Sequence, residues 1–198
     1  MKSLFFFLFL LFSVQVQADE FDNLAGRCAP DVAPDTLRAL VKTESSFNPY
    51  AIGVVEGSVK QPTSFAEAMI TISELELTGK NYSVGLAQIN KKNFKQYGIS
   101  PAQALDSCTN LKVASKILGA CFKSAQTRDS GQSALHDALS CYYSGNFTTG
   151  YRHGYVDKVR TNAGLEPLSV PSIREHELSK PQSLIVEGVP GKQDGLIF

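Results

Sequence analysis

The sequence predicts a mainly α-helical domain with at most a small β-hairpin. Apolar residues recur at helical spacing in several separate segments, strand-like segments are few, and the span from Asp19 to Phe198 has the length of one domain with a real core.

The chain opens with Met1-Lys2-Ser3, runs through an apolar stretch from Leu4 to Val14 and ends that stretch in the small-residue triplet Val16-Gln17-Ala18. This is the layout of a secretory signal peptide over residues 1–18, cleaved after Ala18. The apolar run is about eleven residues, short of the ~20 that a membrane-crossing helix needs. Removing Lys2 with the leader takes 19 basic and 19 acidic residues to 18 and 19. A nearly neutral chain offers no basic face for nucleic acid and no polybasic membrane patch.

From Pro34 to Phe47, Leu37, Leu40 and Val41 form a helical stripe, with Pro34 suited to the first turn and Asn48-Pro49 closing the segment. Ala51 to Lys60, with Gly53 and Gly57, reads as a loop. Ser64-Phe65-Ala66-Glu67 is a capping-box pattern opening a second helix, whose stripe is Phe65, Ala68, Met69, Ile72 and Leu75 and whose end is Gly79. The hairpin is placed around Ser83 to Ile89. Two longer helices follow, from about Thr109 to Ala125 and from about Ser133 to Tyr143, and a last short one spans Tyr155 to Arg160. After Gly164 the composition turns to Pro, Ser, Glu and Gly without sustained periodicity, so residues 19–163 are read as the domain and 164–198 as a flexible tail.

The next position on the stripe of the first helix is Glu44. A carboxyl on the apolar side of a helix is desolvated and keeps its proton to higher pH, which is what a general acid for glycosidic cleavage requires. All four cysteines, Cys28, Cys108, Cys121 and Cys141, lie beyond the leader, and an even number in an exported chain implies disulfides, with three connectivities possible. There is no CxxC pair, and His136, His153 and His176 are scattered, so no metal site is implied, nor any organic cofactor.

Three ordered motifs, Glu44-Ser45-Ser46-Phe47-Asn48-Pro49-Tyr50-Ala51, Gly85-Leu86-Ala87-Gln88-Ile89-Asn90 and Tyr142-Tyr143-Ser144-Gly145-Asn146, together resemble the soluble lytic transglycosylases of the goose-type lysozyme-like superfamily. The resemblance covers Cys28 to about Val159. The long insertion between Ala51 and Gly85, with Gln61-Pro62 inside it, looks most like the branch that accompanies type IV secretion systems.

The resemblance implies a lysozyme-like domain in which Glu44 is the catalytic acid and base. It implies Ser45, Gln88 and Tyr142 as residues of the sugar groove, Tyr142 also bonding the catalytic carboxyl, and it supports a Cys28 to Cys108 disulfide. Cys121 and Cys141 continue buried stripes on consecutive helices and are expected to pair. Asn90 is a possible groove residue that could equally cap the next segment. Two positions depart from the family pattern. Ala87 replaces the usual Met and should widen a pocket. Tyr143 replaces the usual Asn and removes an amide that could reach the sugar or the carboxyl.

The implied substrate is the glycan strand of peptidoglycan, cleaved in the periplasm at the MurNAc-GlcNAc β-1,4 bond to leave 1,6-anhydromuramic ends. The implied setting is local wall opening for a secretion or conjugation apparatus, whose components could be engaged through the tail, where Leu184-Ile185-Val186 is an apolar island. Two alternatives stand beside this reading. A hydrolytic lysozyme would need a second carboxylate, for which Glu56 is the candidate, and a non-catalytic glycan-binding assembly subunit would need no acid at position 44.

Overall fold

The structure, a computed structural model, describes residues 20–166 and 168. The signal peptide and the island at Leu184-Ile185-Val186 lie outside the described residues, as does the tail apart from residues 164–166 and 168. A first compact unit ends at Pro167 and a second begins at Leu168. Every element named below belongs to the first, and the mainly α-helical class holds.

A helical segment over residues 20–28 (α1) precedes α2, Pro34–Ser45, which starts on its proline and buries Leu37, Leu40 and Val41 as the stripe predicts. The helix stops because Ser46 turns into the left-handed region at φ 50°, followed by Phe47 at φ 65°. Phe47 packs edge-on against Phe21 of α1, with ring centroids 5.2 Å apart.

The segment read as a loop contains a strand. β1, Ile52–Val54, pairs antiparallel with β2, Tyr82–Val84, which pairs antiparallel with β3, Ile89–Asn90, giving the order β1-β2-β3. Gly53 hid β1 from a pattern based on side chains, and a Cβ there would lie 2.6 Å from Oε1 of Gln88, so a larger residue would displace that amide. The outer edge of β1 is closed by Gln61, whose amide accepts from the Ile52 N–H at 3.0 Å and donates to its carbonyl at 2.8 Å. That side chain does the work of another strand and leaves the edge without free backbone groups at Ile52.

α3, Phe65–Leu77, begins at the predicted Ser64, whose side chain accepts from the Glu67 N–H. The reciprocal half of the box is redirected: the Glu67 carboxylate accepts from the backbone and hydroxyl of Thr63 at 2.8 and 2.9 Å. Ala68, Ile72 and Leu75 are buried, whereas Phe65 at the head of the expected stripe stays exposed.

A 3₁₀ turn at Lys91–Asn93 and the short helices α4, Phe94–Tyr97, and α5, Pro101–Ala104, lead into α6, Ser107–Ala125, and α7, Gly131–Ser144. These two long helices pack on one another and are tied by the Cys121–Cys141 disulfide, while Cys28–Cys108 ties the end of α1 to the start of α6. Both pairings are those expected. α8, Thr149–Arg152, and α9, Tyr155–Asn162, close the domain, with Tyr155, Val156 and Val159 buried. α9 packs along α2, where Asn162 donates to the Thr43 hydroxyl at 2.8 Å. Beyond α9 the chain stays tied for a few residues: the Leu165 N–H bonds the Arg160 carbonyl, and the Arg160 guanidinium holds the carbonyl of Glu166.

Candidate active site

The last turn of α2 sets Glu44 on the wall of an open cleft of about 860 Å³, lined also by the sheet, by α6 and by the end of α7. Glu44 is the one carboxylate among the described residues that line it. Its side chain is largely enclosed by protein, and this desolvation raises its pKa to about 7 against the pull of the Tyr155 hydroxyl and of Lys158, both of which favour the charged form. A carboxyl that titrates near neutral pH can give a proton and later take one back.

Tyr155 corrects an expectation. The hydroxyl that bonds Glu44 belongs to Tyr155, which donates to Oε1 at 2.5 Å, and not to Tyr142. Tyr142 lines the cleft but donates to the carbonyl of Ala87 at 2.7 Å. The reason is tertiary: α9 lies along α2 and delivers Tyr155 to the carboxyl across 111 positions of sequence. Nothing in the local pattern around Tyr155 marks it beyond an aromatic residue at the head of a buried helix face.

The segment Gly85–Gln88 is held by one side chain from each of three helices. Ser45 of α2 donates to the Leu86 carbonyl at 2.7 Å, Asn110 of α6 accepts from the Ala87 N–H at 2.8 Å, and Tyr142 of α7 takes the Ala87 carbonyl. Gly85 turns at φ 80°, and a Cβ there would fall 2.3 Å from Nδ2 of Asn110, so only glycine fits. Ser45 is therefore adjacent to the acid in sequence but does not line the cleft; its hydroxyl fastens the cleft floor. Asn110, fully buried, escaped sequence reading because it falls inside a helix that its apolar neighbours already explain.

Gln88 lines the cleft with its backbone at φ 49°, and its amide nitrogen donates to the carbonyls of Ala51 and Gly85, both at 3.0 Å. Asn90 also lines the cleft, and it caps the 3₁₀ turn by accepting from the Lys92 N–H while donating to the Ser83 hydroxyl. Glu56, the candidate second carboxylate, sits exposed in the turn after β1 and is not part of the cleft wall. Ala87 is fully buried and does not line the cleft.

This geometry, one carboxylate among the described residues lining an open cleft on a helical scaffold, coincides with a family match. A family model described as Transglycosylase SLT domain matches residues 24–163. The chain belongs to this transglycosylase family. It is a peptidoglycan lytic transglycosylase, a lyase, with Glu44, Gln88 and Tyr142 inside the matched region. Among curated relatives, the type IV secretion system protein virB1 of Brucella suis is 49% identical over 163 residues, covering 77% of this chain and 68% of the relative. The protein virB1 of Agrobacterium fabrum is 40% identical over 145 residues, covering 73% of this chain and 59% of the relative. These names agree with the branch to which the insertion between Ala51 and Gly85 pointed. No solved structure gives a significant match to the chain.

The Tyr155–Glu44 bond gives the transglycosylase a testable pH signature. For a reaction whose first step uses protonated Glu44, kcat/KM should fall as pH rises through about 7. Tyr155→Phe removes a donor that favours the carboxylate, so the midpoint should move to higher pH, with the plateau rate lowered about tenfold through poorer orientation of the acid. An unshifted midpoint in a pH–rate profile would show that the bond does not act on Glu44. The same linkage has a sign for stability: ionising Glu44 is opposed in the folded chain, so its contribution to stability declines as pH rises from about 4.5 to about 7 and is flat on either side.

Proposed function

We propose that the protein cleaves the MurNAc-GlcNAc β-1,4 bond of peptidoglycan strands by an intramolecular route that leaves 1,6-anhydromuramic ends. The observation that supports this most is the single carboxylate. Two-carboxylate glycosidases need a second acid within reach of the scissile bond, and among the described residues of the cleft wall Glu44 stands alone. Glu44 donates its proton to the glycosidic oxygen as the bond from the anomeric carbon breaks. The neighbouring acetamido oxygen of the substrate closes onto that carbon and carries the positive charge. The muramic 6-hydroxyl then attacks the same carbon, the acetamido bond reopens, and the hydroxyl proton passes to the Glu44 carboxylate, restoring the acid. No water enters the product.

Within this reading Gln88 and Asn90 present polar groups to the sugar rims, while Ser45 and Tyr142 fix the cleft floor. The leader read from the sequence supports a periplasmic location, and the virB1 relatives support action at the wall beside a type IV secretion apparatus, with the segment after Glu166 serving recruitment. Digestion of isolated peptidoglycan with mass analysis of the released muropeptides tests the chemistry, since each anhydro end is about 18 Da lighter than the reducing end left by hydrolysis, the mass of one water. A truncation after Glu166, which retains the Arg160 bonds, should give the same products yet fail to support secretion in cells. Predominantly reducing ends would make the enzyme a hydrolase.

A further inference from the structure

Tyr143, one of the two positions that depart from the family pattern, has a defined environment. Both Tyr142 and Tyr143 line the cleft, but the Tyr142 hydroxyl is bound to the Ala87 carbonyl, whereas Tyr143 is 45% exposed. One face of its ring stacks on Tyr155, with centroids 4.6 Å apart and planes at 21°. His153 meets it edge-on at 5.9 Å, with Nδ1 3.2 Å from the Tyr143 hydroxyl. Two neighbours thus fix the ring, so the part of it that stays exposed has its orientation set before any ligand arrives.

The ring stands one aromatic layer from the acid, because the Tyr155 beneath it is the donor to Glu44. On the sheet side, Gln88 and Asn90 supply amides to the same cleft. A pyranose has the matching character: C–H groups form its faces and hydroxyl and acetamido groups its rim, so an aromatic plane serves the face while amides serve the rim. We propose that Tyr143 is a stacking platform for an N-acetylated sugar ring beside the scissile bond. This rests on reading the cleft as the glycan groove.

Binding separates a platform from a residue that only covers Tyr155. In the full chain without its leader and carrying Glu44→Gln, calorimetric titration with a β-1,4-linked N-acetylglucosamine hexamer should give a Kd about tenfold higher for Tyr143→Ala and Tyr143→Leu, the loss of one aromatic contact. Tyr143→Phe should restore the parent value to within about twofold. Leucine preserves most of the apolar bulk, so it remains informative should the alanine variant melt early. Parent-like binding by Tyr143→Leu, equal loss in Tyr143→Phe and Tyr143→Leu, or no binding by the parent would each overturn the proposal. A native chain that binds the hexamer with the expected Tyr143 dependence but releases no anhydro ends would leave the platform standing and remove the proposed reaction instead.

Discussion

Glu44→Gln is expected to release almost no muropeptide from isolated peptidoglycan, a loss of ~10²- to 10⁴-fold, the usual scale for removing a general acid-base group. The amide keeps the shape of the side chain and can still accept from the Tyr155 hydroxyl that now bonds Oε1, so the cleft should be preserved. What disappears is the proton. Neither the first transfer to the glycosidic oxygen nor the return transfer from the 6-hydroxyl can occur, and no other carboxylate among the described residues of the cleft wall can substitute. Because the native carboxyl sits enclosed with a pKa near 7, its neutral replacement should fold at least as stably at alkaline pH, so thermal melting separates lost chemistry from lost structure. Retention of a tenth or more of native activity would overturn the assignment of Glu44.

Asn110→Ala should lower stability by about 3 kcal/mol or more, the cost of leaving several buried polar groups without partners. Asn110 is fully buried inside α6 and makes three hydrogen bonds with its amide: it accepts from the Ala87 N–H, and it donates to the carbonyls of Val84 at 2.9 Å and Ala104 at 2.6 Å. Truncation removes the side-chain partner of one N–H and two carbonyls at once. Since these bonds tie β2, the Gly85–Gln88 segment and α5 to one helix, activity should fall together with stability as Gln88 loses its fixed backbone. Asn110→Asp is the sharper variant, keeping the acceptor for Ala87 while setting an acid against two carbonyls. Urea unfolding of both would measure the effect, and a change below about 1 kcal/mol, a single ordinary hydrogen bond, would show that the amide does not hold this junction.

Much of the fold was legible because burial and helical period coincide. The stripes of α2, α6 and α7 follow residues such as Leu37, Leu40, Leu111, Leu118, Ala138 and Leu139, all buried, and a helix that must cover a core needs little else to be seen. β1 was not legible. Ile52–Val54 is three residues long with a glycine at its centre, and what makes it a strand is the partner edge of β2 and the backbone bonds from Gln61.

Glu44 could be singled out from sequence, since it continues the apolar stripe of its own helix and opens the first of the three ordered motifs, and the structure sets it on the cleft wall. Tyr155 could not. Its role depends on α9 lying along α2, a contact between residues 111 positions apart, and no periodicity within α9 encodes what its buried hydroxyl meets. The same holds for Ser45 and Tyr142, whose residue types fit a sugar groove but whose hydroxyls are engaged by the backbone of the Gly85–Gln88 segment.

By itself the sequence determined the helical class, the cysteines available for pairing and the position of Glu44 on the apolar stripe of its helix. Each of these is a local property, fixed by residue type and by spacing within a few turns of chain. The tertiary structure decided which hydroxyl serves Glu44, which side chains pin the cleft floor, that Glu56 stays outside the cleft wall, and that Tyr143 presents a fixed ring to it. Those outcomes depend on which polar group lies opposite which once distant helices are packed, and hydrogen-bond partners are assigned by that proximity rather than by order along the chain.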